Sequence, residues 1–130
     1  MERFSCNTKI VAGAGAVQEL ENLGAERLLL VTDPFFQENG QAGRIAECAK
    51  AKTVEVFSQV QPDPGVELVA KGTAVVKKFQ PDTVVALGGG SAIDCAKAMV
   101  WFSGLMPRLV AIPTTSGSGS EVTDFAVVTQ

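Results

Sequence analysis

Short runs of consecutive hydrophobic residues recur along the chain and predict its strands. Such runs occur within residues 27–33, 83–87 and 109–112. Continuous apolar runs of this length are typical of strands that are covered on both faces of a sheet. Residues 53–57 alternate between polar and apolar side chains, which predicts a half-buried strand near a sheet edge. A further short strand is expected at residues 9–12.

Hydrophobic residues at helical spacing separate these strands. A brief helix is expected at residues 18–23 and a polar helix at about residues 40–52. In the next helix Asp63 is the expected N-cap, Pro64 occupies the first helical position, and an apolar stripe extends to Phe79. The helix at 91–103 is apolar on nearly every side, which indicates that it is mostly buried or lies in an interface.

The alternation of strands and helices predicts the fold class. It indicates an α/β domain with a doubly wound, mostly parallel and Rossmann-like sheet, because right-handed crossovers place helices on both faces. The chain has 130 residues, of which 46% are hydrophobic, enough for one domain with a substantial core. We therefore expect residues 1–130 to form a single domain.

A glycine-rich turn follows the strand at 83–87. Gly88, Gly89 and Gly90 lack a Cβ, so the backbone can adopt positive φ and a bulky anion can approach its N–H groups. Ser91 and Asp94 fit a capping box at the start of the next helix. The free N–H groups and the helix dipole would then face a nucleotide pyrophosphate. The alternative is an ordinary strand-to-helix turn, since the pattern is neither Gly-x-Gly-x-x-Gly nor a Walker loop.

Two other segments are expected at the same edge of the sheet as the glycine-rich turn. Asp33 ends a covered strand, where its carboxylate can accept from ribose hydroxyls and repel a 2′-phosphate. Alternatively, Asp33 and Pro34 only cap the next turn. Residues 114–121 are rich in hydroxyl groups and follow the strand at 109–112, so they could donate hydrogen bonds to a phosphate. The alternative there is a flexible linker.

Composition excludes several classes of function. The net charge is −3 and no dense lysine and arginine cluster occurs, which argues against a nucleic-acid partner. No apolar run approaches the ~18 residues of a membrane span, so a cytoplasmic protein is expected. The three cysteines have no metal-ligand spacing, and the sequence contains no histidine. Any chemistry must therefore come from a cofactor or from another segment.

The two loop motifs together resemble those of the iron-dependent (group III) alcohol dehydrogenases. Residues 87–97 read Leu-Gly-Gly-Gly-Ser-x-x-Asp-x-Ala-Lys, and residues 112–123 read Ile-Pro-Thr-Thr-Ser-Gly-Ser-Gly-Ser-Glu-Val-Thr. Residues 57–58 and 98–103 look most like the 1-propanol and ethanolamine-utilisation dehydrogenases of bacterial microcompartments. The lumen of such a compartment is therefore an alternative location.

The resemblance implies an N-terminal domain that binds NAD(P) and a C-terminal helical domain that holds iron or another divalent metal with one Asp and three His. It implies hydride transfer between NAD(H) and a short-chain primary alcohol or its aldehyde. The chain ends at Gln130, before every metal ligand of the family, so we expect it to be inactive alone, with no catalytic or metal-binding residue. The implied cofactor-binding residues are Asp33 at the adenosine ribose, Gly89, Gly90, Ser91 and Asp94 at the pyrophosphate and nicotinamide, and Thr114, Thr115 and Ser118 along the cofactor.

Other interpretations remain open at this point. The chain could be a nucleotide-binding module without catalysis, or a relative of glycerol dehydrogenase and dehydroquinate synthase. The segment between Phe102 and Leu109 is shorter than in the resembled family, which puts the local sheet geometry in question. Exposed apolar surface near Trp101, Phe102 and residues 125–128 would promote a homo-oligomer.

Overall fold

A mostly parallel sheet of six strands forms the centre of the computed structural model, which describes residues 8–10, 20–62, 65–114 and 128–129. The strand order is β3-β2-β4-β5-β1-β6, and among these described strands only β1 and β6 pair antiparallel. The mostly parallel sheet predicted from the sequence is therefore confirmed. The strands are β1 (Thr8–Ile10), β2 (Arg27–Val31), β3 (Thr53–Phe57), β4 (Thr83–Gly88), β5 (Arg108–Pro113) and β6 (Val128–Thr129).

Helices cover both faces of this sheet. Leu28 and Leu30 of β2 belong to one core cluster with Ile45, whereas Leu29 belongs to a second cluster with Met99. Alternate residues of one strand thus pack against different helices, as the side-chain period of a strand requires. This is the doubly wound arrangement that the sequence predicts. The helices are α1 (Pro34–Glu38), α2 (Gln41–Ala49), α3 (Val66–Phe79) and α4 (Gly90–Ser103).

Two helices begin or end at other residues than the sequence suggests. The polar helix expected at 40–52 ends at Ala49, because Lys50 adopts a positive φ of 56° and closes it. The N-cap of α3 is Gly65, so the prediction of Asp63 as the cap is wrong, and residues 63–64 lie outside the described ranges. The apolar stripe of α3 also does not reach its first residue, since Val66 is 86% exposed.

The position of β3 and the geometry of β5 answer two questions raised by the sequence. β3 lies at the end of the strand order, which confirms the predicted edge strand. The short connection after α4 does not disturb the sheet, because Gly104 ends the helix with a φ of 76° and the chain returns directly to β5. The strands β4 and β5 pair along their full length, from Thr83 with Arg108 to Gly88 with Pro113.

Asp82 links three strands at the amino-end edge of the sheet. Its carboxylate accepts hydrogen bonds from the N–H groups of Glu26 (3.0 Å) and Arg27 (2.9 Å) and from the Thr83 hydroxyl (2.8 Å). Its backbone N–H donates to the Arg27 carbonyl, and its carbonyl accepts from the Arg108 N–H. Partial burial raises the pKa of Asp82, but these hydrogen bonds and the Arg108 charge outweigh it and lower the pKa below the ordinary 3.8.

The helices α3 and α4 approach each other most closely at Gly72. A Cβ on Gly72 would lie 2.4 Å from Sδ of Met99, which is fully buried. Even an alanine would therefore force Met99 out of its packed position. By contrast, a Cβ on Gly43, an exposed position of α2, would meet nothing within 4 Å.

We expect Gly72→Ala to destabilise the chain although alanine favours helices. Overpacking a filled core costs about 1–3 kcal/mol, against a gain of about 1 kcal/mol in helix propensity. Gly43→Ala is the matched control and should raise the free energy of unfolding by about 0.5–1 kcal/mol. Urea denaturation of both variants measures the difference. Equal stabilisation by the two substitutions would show that Met99 yields without cost.

We also expect Asp82→Asn to change the acid sensitivity of the fold. Because the folded pKa of Asp82 lies below 3.8, its ionised form stabilises the fold fully above that value and the contribution is lost as the pH falls through the folded pKa. The variant should be less stable at about pH 7 and should lose less stability between about pH 5 and pH 2. Glu55→Gln, on the exposed part of β3, is the control. Parallel stability curves for wild type and Asp82→Asn would contradict this account.

Candidate functional site

The carboxyl ends of four parallel strands meet at one edge of the sheet. Val31 at the end of β2 pairs with both Phe57 of β3 and Ala86 of β4, and Gly88 pairs with Pro113 of β5. The loops that leave these strands therefore start side by side. In open α/β sheets this edge is where ligands bind. The residues that the sequence predicts as cofactor ligands and that the structure brings to this edge are Asp33, Gly89, Gly90, Ser91 and Thr114.

The three glycines of the turn have different structural roles. Gly88 alone has a positive φ, of 142°, and a Cβ there would lie 3.2 Å from Cβ of Ala92. Gly89 has a φ of −84° and Gly90 is helical, so neither needs glycine for its backbone conformation. A Cβ on Gly89 or Gly90 would meet nothing within 4 Å. The surface above these two residues is therefore open to a ligand.

No side chain among the described residues caps the N-terminus of α4. Gly89 is the N-cap, and its carbonyl accepts the first helical hydrogen bond from the N–H of Ile93 (3.2 Å). The predicted capping box of Ser91 and Asp94 is wrong, because the helix begins at Gly90. Ser91 is thus already the second helical residue, and the carboxylate of Asp94, beyond the first turn, does not reach the N-cap. Among the described residues none accepts from the first-turn N–H groups, and N–H groups free at a helix N-terminus are the arrangement that binds phosphate.

Asp33 caps the short helix that follows β2. Its Oδ1 accepts a hydrogen bond from the N–H of Phe36 (3.1 Å), and Pro34 is the first residue of α1. The capping role that the sequence left as an alternative is therefore confirmed. A carboxylate has about four acceptor positions, so this one bond leaves Asp33 able to accept from further hydroxyl groups. The cap fixes the carboxylate at the carboxyl-end edge.

Thr114 lies directly beside the glycine turn. Its N–H donates to the Gly88 carbonyl (3.0 Å), and its side chain is half-buried. Asp94 is exposed on α4, three residues beyond Ser91 and on the same side of the helix. Thr115 and Ser118 lie outside the described residues.

Sequence reasoning missed two residues that shape this edge. Thr32 is fully buried, and its hydroxyl donates to the Leu87 carbonyl (2.8 Å) just before the glycine turn. Phe36 is buried next to Gly88, with a ring carbon 3.7 Å from where a Gly88 Cβ would lie. The sequence did offer a signal for Thr32, which is a threonine within the covered run at residues 27–33. A hydroxyl buried there requires a hydrogen-bond partner.

A polar cleft extends the edge from Pro34, the residue after Asp33, past the end of β3. It has a volume of about 460 Å³, and Pro34 is part of its wall. Lys71 on α3 donates from Nζ to Oε1 of Gln59 (3.2 Å), and both residues line the cleft. The edge therefore offers space for an elongated polar ligand that reaches beyond Asp33.

Within the described ranges the donor groups for a metal ion do not come together. No cluster of three or more His, Cys, Asp or Glu residues occurs there. Cys95 is buried, and burial raises the pKa of its thiol, so it is not a ready metal ligand or nucleophile. Helices in these ranges also fall short of the length and apolarity that a bilayer crossing requires.

Several known proteins are similar to this chain in both sequence and fold. The 1-propanol dehydrogenase of Citrobacter freundii is 38% identical over 133 residues, which cover 98% of this chain and 36% of that protein. The solved iron-containing alcohol dehydrogenase of Thermococcus thioreducens is 31% identical at a TM-score of 0.67, covering 92% of this chain and 39% of that one. The sulfoacetaldehyde reductase of Bifidobacterium kashiwanohense, solved in complex with NAD⁺, is 27% identical at a TM-score of 0.67, covering 94% and 38%.

The chain spans less than two fifths of the length of these three proteins. The family profile described as iron-containing alcohol dehydrogenase matches residues 7–130, which is nearly the whole chain. The match includes both loop motifs and every strand of the sheet. The chain therefore belongs to the iron-containing alcohol dehydrogenase family.

Proposed function

We propose that residues 1–130 are the NAD(H)-binding domain of an iron-containing alcohol dehydrogenase that interconverts a short-chain primary alcohol and its aldehyde. The observation that carries the proposal is the uncapped N-terminus of α4, which opens beside Asp33 at the carboxyl-end edge of the sheet. The relatives of this chain support the reaction class, since they include a 1-propanol dehydrogenase and a reductase solved in complex with NAD⁺.

The pyrophosphate is assigned to the glycine turn. The backbone at Gly89 and Gly90 is open, and the free N–H groups of the first turn of α4 can donate to phosphate oxygens. The positive end of the helix dipole adds to this attraction. The Ser91 hydroxyl supplies a further donor, and Asp94 is assigned to the same part of the site. Thr114, together with Thr115 and Ser118 outside the described residues, is assigned to the opposite wall.

The adenosine ribose is assigned to Asp33. The cap bond to Phe36 holds the carboxylate in place and leaves acceptor positions for two ribose hydroxyls. The polar cleft beside Pro34 continues outward from this point and gives room for the adenosine end. With the ribose at Asp33 and the pyrophosphate at Gly89, the cofactor would lie along the strand ends.

NAD⁺ supplies the hydride acceptor when it is bound, and the residues of this chain bind and orient it. No residue of the chain is assigned to the metal, because the sequence has no histidine and the described residues form no ligand cluster. We assign the metal to residues outside these 130. The exposed side chains of Phe102 (63%) and Val66 (86%) favour a homo-oligomer or a docked partner domain. The cytoplasm or a microcompartment lumen stays the predicted location.

A nucleotide-binding module without catalysis is the alternative, and the family match favours the alcohol dehydrogenase over it. It would use the same site, so cofactor binding alone does not separate the two. The family match favours the alcohol dehydrogenase over a glycerol dehydrogenase or dehydroquinate synthase relative.

NADH binding should depend on the open backbone of the glycine turn. We expect Gly90→Val to weaken NADH binding at least about tenfold, because its side chain would occupy the space that the phosphate needs. Gly43→Val places the same side chain at an open helical position outside the site and is the control. Fluorescence titration gives both affinities, and urea denaturation verifies that both variants fold. Equal affinity of Gly90→Val and wild type would remove the turn from the binding site.

The chain should prefer NAD(H) to NADP(H). The carboxylate of Asp33 would repel a 2′-phosphate, and Asp33→Asn removes the charge while it keeps an oxygen for the cap. We expect this variant to narrow the difference between the two affinities, mainly through tighter NADP(H) binding. Asp33→Gly should also narrow it, with some loss of stability from the missing cap. Equal binding of both dinucleotides by wild type would show that Asp33 does not face the ribose.

The 130 residues alone should not oxidise an alcohol. Hydride transfer of this kind needs a Lewis acid or a general acid at the oxygen. The chain has no histidine that could ligate a metal ion or act as the general acid, and its other candidates are scattered carboxylates and three thiols. The assay mixes the chain with NAD⁺, 1-propanol and ferrous or zinc ion and follows NADH absorbance. A full-length relative is the positive control. Turnover comparable to that control would mean that the chain carries a catalytic site of its own.

A further inference from the structure

Thr32 is the residue at which three segments of the site edge are joined. Its N–H donates to the Phe57 carbonyl of β3 (2.9 Å), and its carbonyl accepts from the N–H of Val60 in the following loop (3.2 Å). Its hydroxyl donates to the Leu87 carbonyl of β4 (2.8 Å). Thr32 is fully buried, so water does not compete for these bonds. Each of its polar groups therefore connects β2 to a different segment.

The hydroxyl bond connects the two halves of the proposed cofactor site. Thr32 immediately precedes Asp33, and Leu87 immediately precedes the turn that starts at Gly88. The pairing of β2 with β4 ends one step earlier, at Val31 with Ala86. Beyond that pair, the Thr32 hydroxyl gives a further hydrogen bond between the two strand ends. It thereby links the strand end that carries Asp33 to the strand end that leads into the N-terminus of α4.

Neighbouring contacts fix the turn from its other sides. The Gly88 carbonyl accepts from the Thr114 N–H (3.0 Å), and the Phe36 ring packs against Gly88. Phe36 is itself held by the cap bond to Asp33. The turn is thus held from β5 by a backbone bond and from β2 by a side-chain hydroxyl, and only the second can be removed by substitution without changing the backbone.

We propose that Thr32 is a positioning residue for dinucleotide binding, which fixes the glycine turn at the distance from Asp33 that the ribose and pyrophosphate require. This inference rests on the proposed function. Thr32 touches no ligand in this assignment and acts through Leu87 and the turn. Loss of the Thr32 hydroxyl would leave the buried Leu87 carbonyl without a hydrogen-bond donor. An unpaired buried carbonyl costs free energy, so we expect the end of β4 to shift until this carbonyl finds another donor.

The test is a double-mutant cycle on NADH affinity. Thr32→Val removes only the hydroxyl, and we expect it to weaken NADH binding about tenfold, whereas Thr32→Ser should restore binding to within about threefold of wild type. In a Gly90→Val background the turn is already blocked, so Thr32→Val should weaken binding less than about twofold further. Thr83→Val is the matched control, since Thr83 is also fully buried but lies at the opposite sheet edge, with its hydroxyl bonded to Asp82.

A second measurement in the ligand-free chain separates this inference from the proposed function. Thr32→Val should shift the amide ¹H–¹⁵N signals of Gly88, Gly89 and Gly90, and Thr83→Val should leave them in place. If the wild-type chain fails to bind NADH, the proposed function is wrong. The amide signals of the ligand-free chain then still show whether Thr32 positions the glycine turn. If wild type binds and Gly90→Val weakens binding, but Thr32→Val behaves like Thr83→Val in both measurements, the positioning role is overturned.

Discussion

The burial of β4 on both faces and its pairing on both sides constrain the rest of the structure. All six of its residues are buried, and it pairs in parallel with β2 on one side and β5 on the other. A strand in this position can reach solvent only at its ends. The chain must therefore leave it through a turn at the carboxyl end, and the helix that follows must begin at the same edge where β2 and β5 end. The site is a consequence of this placement.

The two edges of the sheet use similar chemistry for different purposes. At the amino-end edge the carboxylate of Asp82 accepts three hydrogen bonds, which lower its pKa and tie the strand starts together. At the opposite edge, within the part of the chain that the structure describes, the carboxylate of Asp33 accepts one bond, from Phe36, and no side chain caps the N-terminus of α4. Acceptor and donor capacity thus remains unused where a ligand is proposed to bind. At the amino-end edge, which carries no proposed function, hydrogen bonds within the protein occupy most acceptor positions of the Asp82 carboxylate.

The sequence was sufficient for features that depend on local pattern. Continuous apolar runs identified β2, β4 and β5, and alternation identified β3 as an edge strand, because these patterns follow from which faces are covered. The position of Asp33 and the turn at Gly88 followed from their places at strand ends. The family resemblance then supplied the reaction class, which composition and spacing alone did not.

Other features depended on geometry that the sequence does not display. The capping box at Ser91 failed because the helix starts one residue before it, at Gly90, with Gly89 as the N-cap. The start of α3 was misplaced because Gly65 competes with Asp63 for the cap position. Thr32 was missed because its hydroxyl partner, Leu87, is 55 residues away along the chain. Such contacts appear only once the order of the strands is known.

The central claim is that the N-terminus of α4 binds the phosphates of a dinucleotide, and amide chemical-shift mapping tests it most directly. Titration of ¹⁵N-labelled chain with NADH reports every backbone N–H at once, including those that would donate to phosphate. The account predicts that the largest shifts occur at Gly89, Gly90 and Ser91, with smaller shifts near Asp33 and Thr114. Shifts confined to the apolar groove of α3 and α4, which Val69 and Phe102 line, would contradict it, as would saturable NADH binding that leaves Gly89 and Gly90 unmoved.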